Sequence, residues 1–142
     1  MTTDAITGAL RQLVHTRAAE CCEYCLLPAA VAFYPHEVDH IIARKHGGLT
    51  DPTNLALACW RCNRHKGSDI ATFDPADGQL TQLYHPRVAR WTAHFSISAG
   101  TIAGQTPAGR ATVFLLQFNT DERVTERLGL LRARVLRIPP SG

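Results

Sequence analysis

The fold is set by residues 22–66, which read CEYCLLPAAVAFYPHEVDHIIARKHGGLTDPTNLALACWRCNRHK. Two Cys-x-x-Cys pairs, Cys22/Cys25 and Cys59/Cys62, open this segment and lie near its end. Zinc prefers four tetrahedral ligands, and two thiolates separated by two residues supply half of such a site. Because four thiolates leave no position for an exchangeable water, the two pairs predict a structural zinc site.

Two alternatives concern the cysteines themselves. One Cys-x-x-Cys pair can instead carry redox chemistry, but two pairs with the same spacing favour zinc. Cys21 can replace Cys22 in a Cys-x3-Cys arrangement, although the symmetry of the two pairs favours Cys22. We interpret Cys21 as a small buried residue.

The 33 residues between Cys25 and Cys59 are enough to carry a second site. Asp39 and His40 end a predicted strand, and a loop with two glycines follows them. Adjacent strand residues point to opposite faces, so both side chains reach one site only where the strand ends or twists. A carboxylate suits Mg²⁺ or Mn²⁺, and an imidazole that is neutral near physiological pH suits a general base.

The helix after the second cysteine pair supplies the remaining candidates. Asn63 directly follows a zinc ligand, and Lys66 lies three residues on, where it shares a helix face and can meet a phosphate oxygen. His65 lies roughly 200° around the helix from Asn63, so we interpret it as a DNA-phosphate contact or a solvated residue. Asn54 opens the returning strand, and its amide can bond backbone groups across the loop.

Periodicity and turn residues predict an α+β architecture in a single domain of 142 residues. We expect a helix in residues 1–20, the zinc-stapled core in 21–72, an extension of short strands and two helices in 73–137, and a tail in 138–142. The predicted helices are 5–19, 59–72, 106–119 and 122–136, with Thr3-Asp4, Thr106-Pro107 and Asp121 at three starts. The predicted strands are 31–33, 37–42, 54–58, 79–84, 91–98 and 101–103.

Composition narrows the function classes only in part. The net charge is +3, and 13 of the 15 basic residues are arginines, whose planar fork suits phosphate. Acidic residues are also spread along the chain, so charge alone does not identify a nucleic-acid binder. No apolar run approaches the ~18 residues of a membrane span. The first residues do not resemble a signal peptide, so we expect reduced cysteines and a cytoplasmic protein.

The order and spacing of these motifs resemble the HNH endonuclease family. The resemblance is carried by Glu37-x-Asp39-His40-Ile41-Ile42, His46-Gly47-Gly48, Asn54-Leu55 and Cys59-x-x-Cys62-Asn63-x-x-Lys66. It implies a ββα-metal core that hydrolyses nucleic-acid phosphodiesters, with DNA as the expected substrate and one divalent cation.

The resemblance also implies roles for individual residues. Asp39 would be a metal ligand, His40 the base that deprotonates water, and Asn54 the orienting asparagine. Asn63 stands where the family often has its third histidine, so the chain is an H-N-N variant in which Asp39 and Asn63 would bind the cation. An amide oxygen is a harder ligand than imidazole and favours Mg²⁺ or Mn²⁺.

The nucleic-acid contacts that we expect surround this centre. They are Lys66, Arg44, Lys45, His46 and His65. The alternative function is a non-catalytic zinc-binding module that docks nucleic acid or protein. It predicts binding without metal-dependent cleavage.

Overall fold

A computed structural model describes residues 5–140. Its regular elements alternate between short helices and short antiparallel strands. In chain order they are α1 (Gly8–Arg17), β1 (Glu37–His40), β2 (Leu55–Ala58), α2 (Trp60–Lys66), β3 (Ala71–Phe73), β4 (Leu80–Gln82), α3 (Trp91–His94), β5 (Phe95–Ser98), β6 (Thr101–Gly104), α4 (Pro107–Leu115) and α5 (Asp121–Arg132). The predicted α+β class is confirmed.

Helix α1 is shorter than the predicted 5–19. The hydroxyl of Thr7 accepts a hydrogen bond from the backbone N–H of Leu10 at 3.1 Å, which caps the helix there. The helix ends at Arg17 because Ala19 and Glu20 take positive φ angles of 51° and 60°. The predicted cap at Thr3-Asp4 lies outside the described residues.

Strands β1 and β2 pair antiparallel, with Asp39 opposite Ala56 and His40 opposite Leu55. Helix α2 follows β2 directly, with Cys59 as its N-cap residue, so the core has the ββα order. All four residues of β2 are buried. The ββα arrangement therefore places the end of β1 against α2, the helix that carries Asn63.

Three predictions within or beside the core are wrong in extent or kind. Residues 31–33 do not form a strand: Ala29–Val31 is a 3₁₀ turn, and Phe33 is 88% exposed. The strand predicted at 37–42 ends at His40. The helix predicted at 59–72 ends at Lys66, because Gly67 takes a φ of 52°, and residues 71–73 form β3 instead.

The extension consists of two hairpins and three helices. The turn at Ala99-Gly100 joins β5 and β6 as predicted, and Thr106 caps α4 with Pro107 at its first position. The strand predicted at 79–84 is only Leu80–Gln82. Helices α4 and α5 end at Leu115 and Arg132, earlier than predicted, and the side chain that caps α5 is that of Thr120.

The prediction of a strand over 91–98 is wrong at its start. Residues 91–94 form α3, and the strand begins at Phe95. The indole N–H of Trp91 donates to the carbonyl oxygen of Tyr24 at 2.8 Å, and its ring packs against Phe95 with 5.0 Å between centroids. The hydrogen bond to Tyr24, 67 residues away in the chain, overrides the local strand preference of Trp91.

One buried apolar cluster joins the cysteine segment to the extension. It includes Tyr24, Trp91, Phe95, Phe118 and Leu136, all at most 8% exposed. A smaller cluster of Val14, Leu55 and Leu57 packs α1 against β2. No helix of residues 5–140 is long and apolar enough to cross a membrane.

Two helical glycines should respond oppositely to alanine. A Cβ at Gly109 would lie 2.2 Å from the carbonyl oxygen of His94, whereas nothing lies within 4 Å of a Cβ at Gly129. We expect Gly109→Ala to lower the free energy of unfolding by about 1–3 kcal/mol through overpacking. Gly129→Ala, the control, should raise it by about 0.5–1 kcal/mol through helix propensity.

Urea unfolding at one fixed zinc concentration measures both changes. Equal effects of the two substitutions would show that α4 does not pack as closely on the His94 carbonyl as the structure has it.

Candidate metal and reaction centre

Four cysteine side chains converge on one point. Cys22 and Cys25 come from the turn after α1, and Cys59 and Cys62 from the start of α2, and all four sulfur atoms lie within 4.8 Å of one another. The sulfurs of Cys25 and Cys59 are 3.6 Å apart. A zinc–sulfur bond of about 2.3 Å implies tetrahedral sulfur–sulfur distances of about 3.8 Å. The buried cluster therefore has the ligands and the geometry that can bind zinc.

Backbone hydrogen bonds to sulfur orient the cluster. The N–H of Cys25 donates to the sulfur of Cys22 at 3.4 Å, and the N–H of Cys62 donates to that of Cys59 at 3.5 Å. The choice of Cys22 over Cys21 is confirmed, because the half-buried Cys21 lies outside the cluster and its thiol points to the carbonyl oxygen of Ala19.

The ionisation of three of the cluster thiols is also consistent with a bound cation. Burial raises the pKa of Cys22 and Cys62 well above the usual thiol range, while hydrogen bonds from the neighbouring thiols lower the pKa of Cys25. Without a metal the thiols of Cys22 and Cys62 would keep their protons. A divalent cation would displace these protons, as zinc does when it binds thiolates.

Two buried arginines of α5 face this cluster. Arg123 donates to the sulfur of Cys62 at 3.2 Å and to the carbonyl oxygens of Leu116 and Gln117 at 2.7 and 2.9 Å. Burial alone would lower its pKa, but the negative charge of Cys62 and Cys25 raises it above the usual range. Arg127 donates to the carbonyl oxygens of Gly100 and Phe118 at 2.7 and 2.9 Å.

These arginines would balance the charge of a cluster that holds zinc. Four thiolates around one Zn²⁺ would carry a formal charge of about −2, and Arg123 and Arg127 are each only 4% exposed. A buried cation is retained when it is paired and hydrogen bonded. The extension thus supplies outer-sphere partners to the ligands that the core provides.

The second centre lies at the end of β1. The carboxylate of Asp39 is 5% exposed, accepts a hydrogen bond from the Tyr24 hydroxyl at 2.8 Å and forms an ion pair with the Lys66 ammonium at 3.1 Å. Burial raises the pKa of Asp39, and the charge of Lys66 and the Tyr24 hydrogen bond only partly reverse that shift. Lys66 also donates to the carbonyl oxygen of His40 at 3.1 Å.

His40 is half-buried and has a different partner. Its Nε2 lies 2.8 Å from the hydroxyl oxygen of Thr50, which belongs to the loop between β1 and β2. The loop therefore holds the imidazole on one side, while Lys66 holds the backbone of the same residue on the other.

Asn54 bonds the loop as the sequence predicts. Its carbonyl oxygen accepts from the N–H of Ile42 at 2.9 Å, and its amide nitrogen donates to the carbonyl oxygens of Ile42 and Leu49, each at 2.9 Å. We call these three hydrogen bonds the Asn54 clamp. Glycine is needed at position 48 beside the clamp, because a Cβ there would lie 1.7 Å from the Ile42 carbonyl oxygen. The clamp fixes the chain that leaves His40.

The polar residues of α2 differ from one another in exposure and in contacts. Asn63 is half-buried one turn into the helix, directly after the cluster ligand Cys62. Lys66 is 1% exposed and lies against Asp39 and His40, so it orients the end of β1, and its phosphate contact stays a prediction. His65 is exposed, and burial together with Arg123 lowers its pKa.

The loop residues predicted to contact nucleic acid are accessible. Arg44, Lys45 and His46 form an exposed 3₁₀ turn that ends at Gly47 with a φ of 91°. Their contacts with nucleic acid stay predictions.

Sequence reasoning did not identify three residues of these centres. Tyr24 binds Asp39, Thr50 binds His40, and Arg123 binds Cys62. Tyr24 lies inside the first cysteine pair, which is the only signal that could have drawn attention to it. The other two partners depend on how the loop and α5 fold back.

The cation site predicted at Asp39 and Asn63 stays a prediction. Within residues 5–140 the cysteines are the only group of three or more His, Cys, Asp or Glu side chains placed to bind an ion. Mg²⁺ commonly binds through one or two protein oxygens together with substrate phosphates and water. A carboxylate and an amide offer oxygens of that kind.

Comparison with known proteins gives one match. Residues 22–69 match a family model described as HNH endonuclease, so the match begins at the first cluster cysteine and ends shortly after α2. No curated protein and no solved structure matches the chain.

Removal of the Arg123 charge should weaken metal retention. We expect Arg123→Met to release zinc about 10- to 100-fold more readily, as loss of an outer-sphere partner commonly does. Release to a chromogenic chelator, followed by absorbance, measures this rate. Arg132→Met is the control, because Arg132 is an exposed residue of the same helix. If both variants retain zinc as the wild type does, Arg123 does not stabilise the thiolates.

A second asparagine, Asn119, makes similar backbone hydrogen bonds elsewhere in the chain. Asn119 accepts from the N–H of Ile102 at 3.0 Å and donates to its carbonyl oxygen at 2.7 Å. We expect Asn54→Ala and Asn119→Ala each to lower the free energy of unfolding by about 1–3 kcal/mol, because each leaves backbone N–H and C=O groups without a hydrogen-bond partner.

Amide hydrogen exchange distinguishes the two clamps. Asn54→Ala should speed exchange at Ile42 and leave Ile102 protected, and Asn119→Ala should do the reverse. Unchanged protection at Ile42 in Asn54→Ala would contradict the clamp.

Proposed function

We propose that this chain, whose residues 22–69 form an HNH endonuclease domain, hydrolyses phosphodiester bonds of DNA with the help of one divalent cation. The observation that carries the proposal is the pair of contacts from Lys66 to Asp39 and to the His40 carbonyl. These contacts bring the Asp-His end of β1 against α2, which also carries Asn63.

We further propose two metals with separate tasks. The cysteine cluster would hold a structural Zn²⁺, because it offers four ligands and no open position. Asp39 and Asn63 would hold Mg²⁺ or Mn²⁺. When bound there, such an ion supplies a Lewis acid for the charge that develops on the phosphate oxygens.

In the proposed reaction His40 is the general base. If its Nε2–H donates to Thr50, the lone pair of the neutral ring lies on Nδ1, which then accepts a proton from water. The water oxygen attacks phosphorus as that proton leaves, and the bond from phosphorus to the 3′ oxygen breaks. The leaving 3′ oxygen takes a proton from bulk water, so the products are a 5′-phosphate and a 3′-hydroxyl.

The other residues of the centre orient or bind. Asn54 holds the loop that carries Thr50, and Tyr24 and Lys66 hold the Asp39 carboxylate. Positioning of this kind lowers the barrier because reacting groups need less reorganisation. Arg44, Lys45, His46 and His65 would contact the DNA backbone around the scissile bond.

One observation favours the alternative of a non-catalytic binding module. The Asp39 carboxylate is already neutralised by the buried Lys66, as a purely structural ion pair would be. That alternative predicts nucleic-acid or protein binding that no divalent cation converts into cleavage.

Supercoiled plasmid distinguishes the two functions. We expect the zinc-loaded protein to nick or linearise plasmid only with Mg²⁺ or Mn²⁺, and His40→Ala to lose about 10²- to 10⁴-fold in rate, the usual contribution of a general base. Gel electrophoresis at several times measures the rates.

The matched control is His15→Ala, which removes a half-buried histidine of α1 that has no role in the proposed reaction. Its rate should stay within a few-fold of the wild type. Cleavage by His40→Ala at the wild-type rate would refute the base assignment, and no cleavage by any folded, metal-supplied protein would favour the binding module.

A further inference from the structure

A groove lies between the end of α1, the segment 84–91 and the C-terminal segment 137–140, and Cys22 is among its lining residues. Its volume is about 470 Å³. Three exposed arginines line it, Arg17, Arg90 and Arg137, and we call it the arginine groove. None of the three belongs to the HNH segment at residues 22–69.

The charge of the arginine groove is strongly positive. Its only lining acid among the described residues is Glu23, which already forms an ion pair with Arg87 and accepts from the N–H of Leu57 at 2.8 Å. Glu20, on the neighbouring turn, lies 2.7 Å from His15. With three arginines and one already paired acid, the lining of the groove is complementary to an anion.

Neighbouring arginines also repel one another here. Burial lowers the pKa of Arg87 to about 10, and the positive charge of Arg17 contributes to the shift. Arg17 is itself held close by a hydrogen bond to the carbonyl oxygen of Leu55. A bound anion would reduce the electrostatic repulsion between arginines that are held close together in this way.

The rest of the lining is largely apolar. Leu26, Trp91, Ile138 and Pro139 contribute to it. A positively charged rim over apolar surface is the combination that single strands of nucleic acid use, with phosphates on the cations and bases on the apolar side chains. A small inorganic anion would make no favourable contact with the apolar part of the groove lining.

One residue links the arginine groove to the surroundings of Lys66. Tyr84 lines the groove and also lines a smaller cavity of about 100 Å³ whose lining includes Lys66, Ile41 and Ile42. The two spaces therefore share Tyr84, and Lys66 in turn contacts Asp39 and His40.

We infer that the arginine groove binds an unpaired strand of the nucleic-acid substrate next to the scissile phosphate. The volume is in the ~300–1,000 Å³ range of sites for small molecules, which suits one or two nucleotides and not a duplex. Bases are exposed to apolar surface only when the strand is unpaired. The inference rests on the proposed function and assigns it a substrate class: DNA with a single-stranded segment beside the cleaved bond.

The test measures binding without cleavage. In the full-length His40→Ala protein, fluorescence anisotropy gives the affinity for a labelled 20-nucleotide single strand and for the matching duplex between 50 and 200 mM NaCl. Arg90→Ala and Arg137→Ala are added singly, with Arg132→Ala as the control, because Arg132 is exposed and lies outside the groove. Zinc content and melting temperature check that every variant folds.

Each groove variant should weaken single-strand binding about threefold to tenfold and reduce the slope of log K against log[NaCl] by roughly 0.7, the value for one lost phosphate contact on a single strand. Arg132→Ala should change neither quantity.

Three outcomes would overturn the assignment of the groove. They are equal effects of groove and control variants, an effect on the duplex alone, and no measurable single-strand binding. Each can occur while wild-type protein cleaves plasmid, so failure of the groove and failure of the nuclease are distinguishable.

Discussion

The convergence of four sulfur atoms on one point is the constraint on which the rest of the structure depends. It ties the turn after α1 to the first turn of α2 across the intervening 33 residues. Closing a loop of that length costs entropy that only a strong tie offsets. With α2 held there, Lys66 reaches the end of β1, and Arg123 of the extension bonds the sulfur of Cys62.

A buried ion pair defines the second centre, and its value lies in orientation. Buried pairs contribute little net stability, because desolvation of the two charges offsets their attraction. Lys66 nevertheless bonds both the Asp39 carboxylate and the His40 carbonyl. It therefore fixes two neighbouring residues whose side chains leave the strand in different directions. Thr50 and Asn54 complete the arrangement from the loop side.

The part of the fold that the sequence predicts well is the part with local signals. The cysteine spacing, the cap at Thr106 and the turn at Ala99-Gly100 are all read from neighbouring residues. The helix over Trp91–His94 was not predictable in this way, because the Trp91 indole is placed by its hydrogen bond to Tyr24, 67 residues away in the chain.

The candidate centre likewise contains residues with a local sequence signal and residues placed only by long-range contacts. The backbone bonds of Asn54 were predictable, since that asparagine opens a strand after a glycine-containing loop. Tyr24, Thr50 and Arg123 were not, because each acts on a residue that only the folded chain brings near. The burial of Lys66 is a further case: its spacing from Asn63 indicates a shared face, but not that Asp39 covers it.

We propose that one short segment carries a permanent zinc site and a separate exchangeable cation site. Native mass spectrometry of the protein, dialysed against a chelator too weak to remove thiolate-bound zinc, tests this division together with cleavage of plasmid by the same sample. We expect one zinc per chain after dialysis, no cleavage, and recovery of cleavage on addition of Mg²⁺ or Mn²⁺. Recovery by zinc alone, in step with refilling of the cysteine cluster, would refute the division.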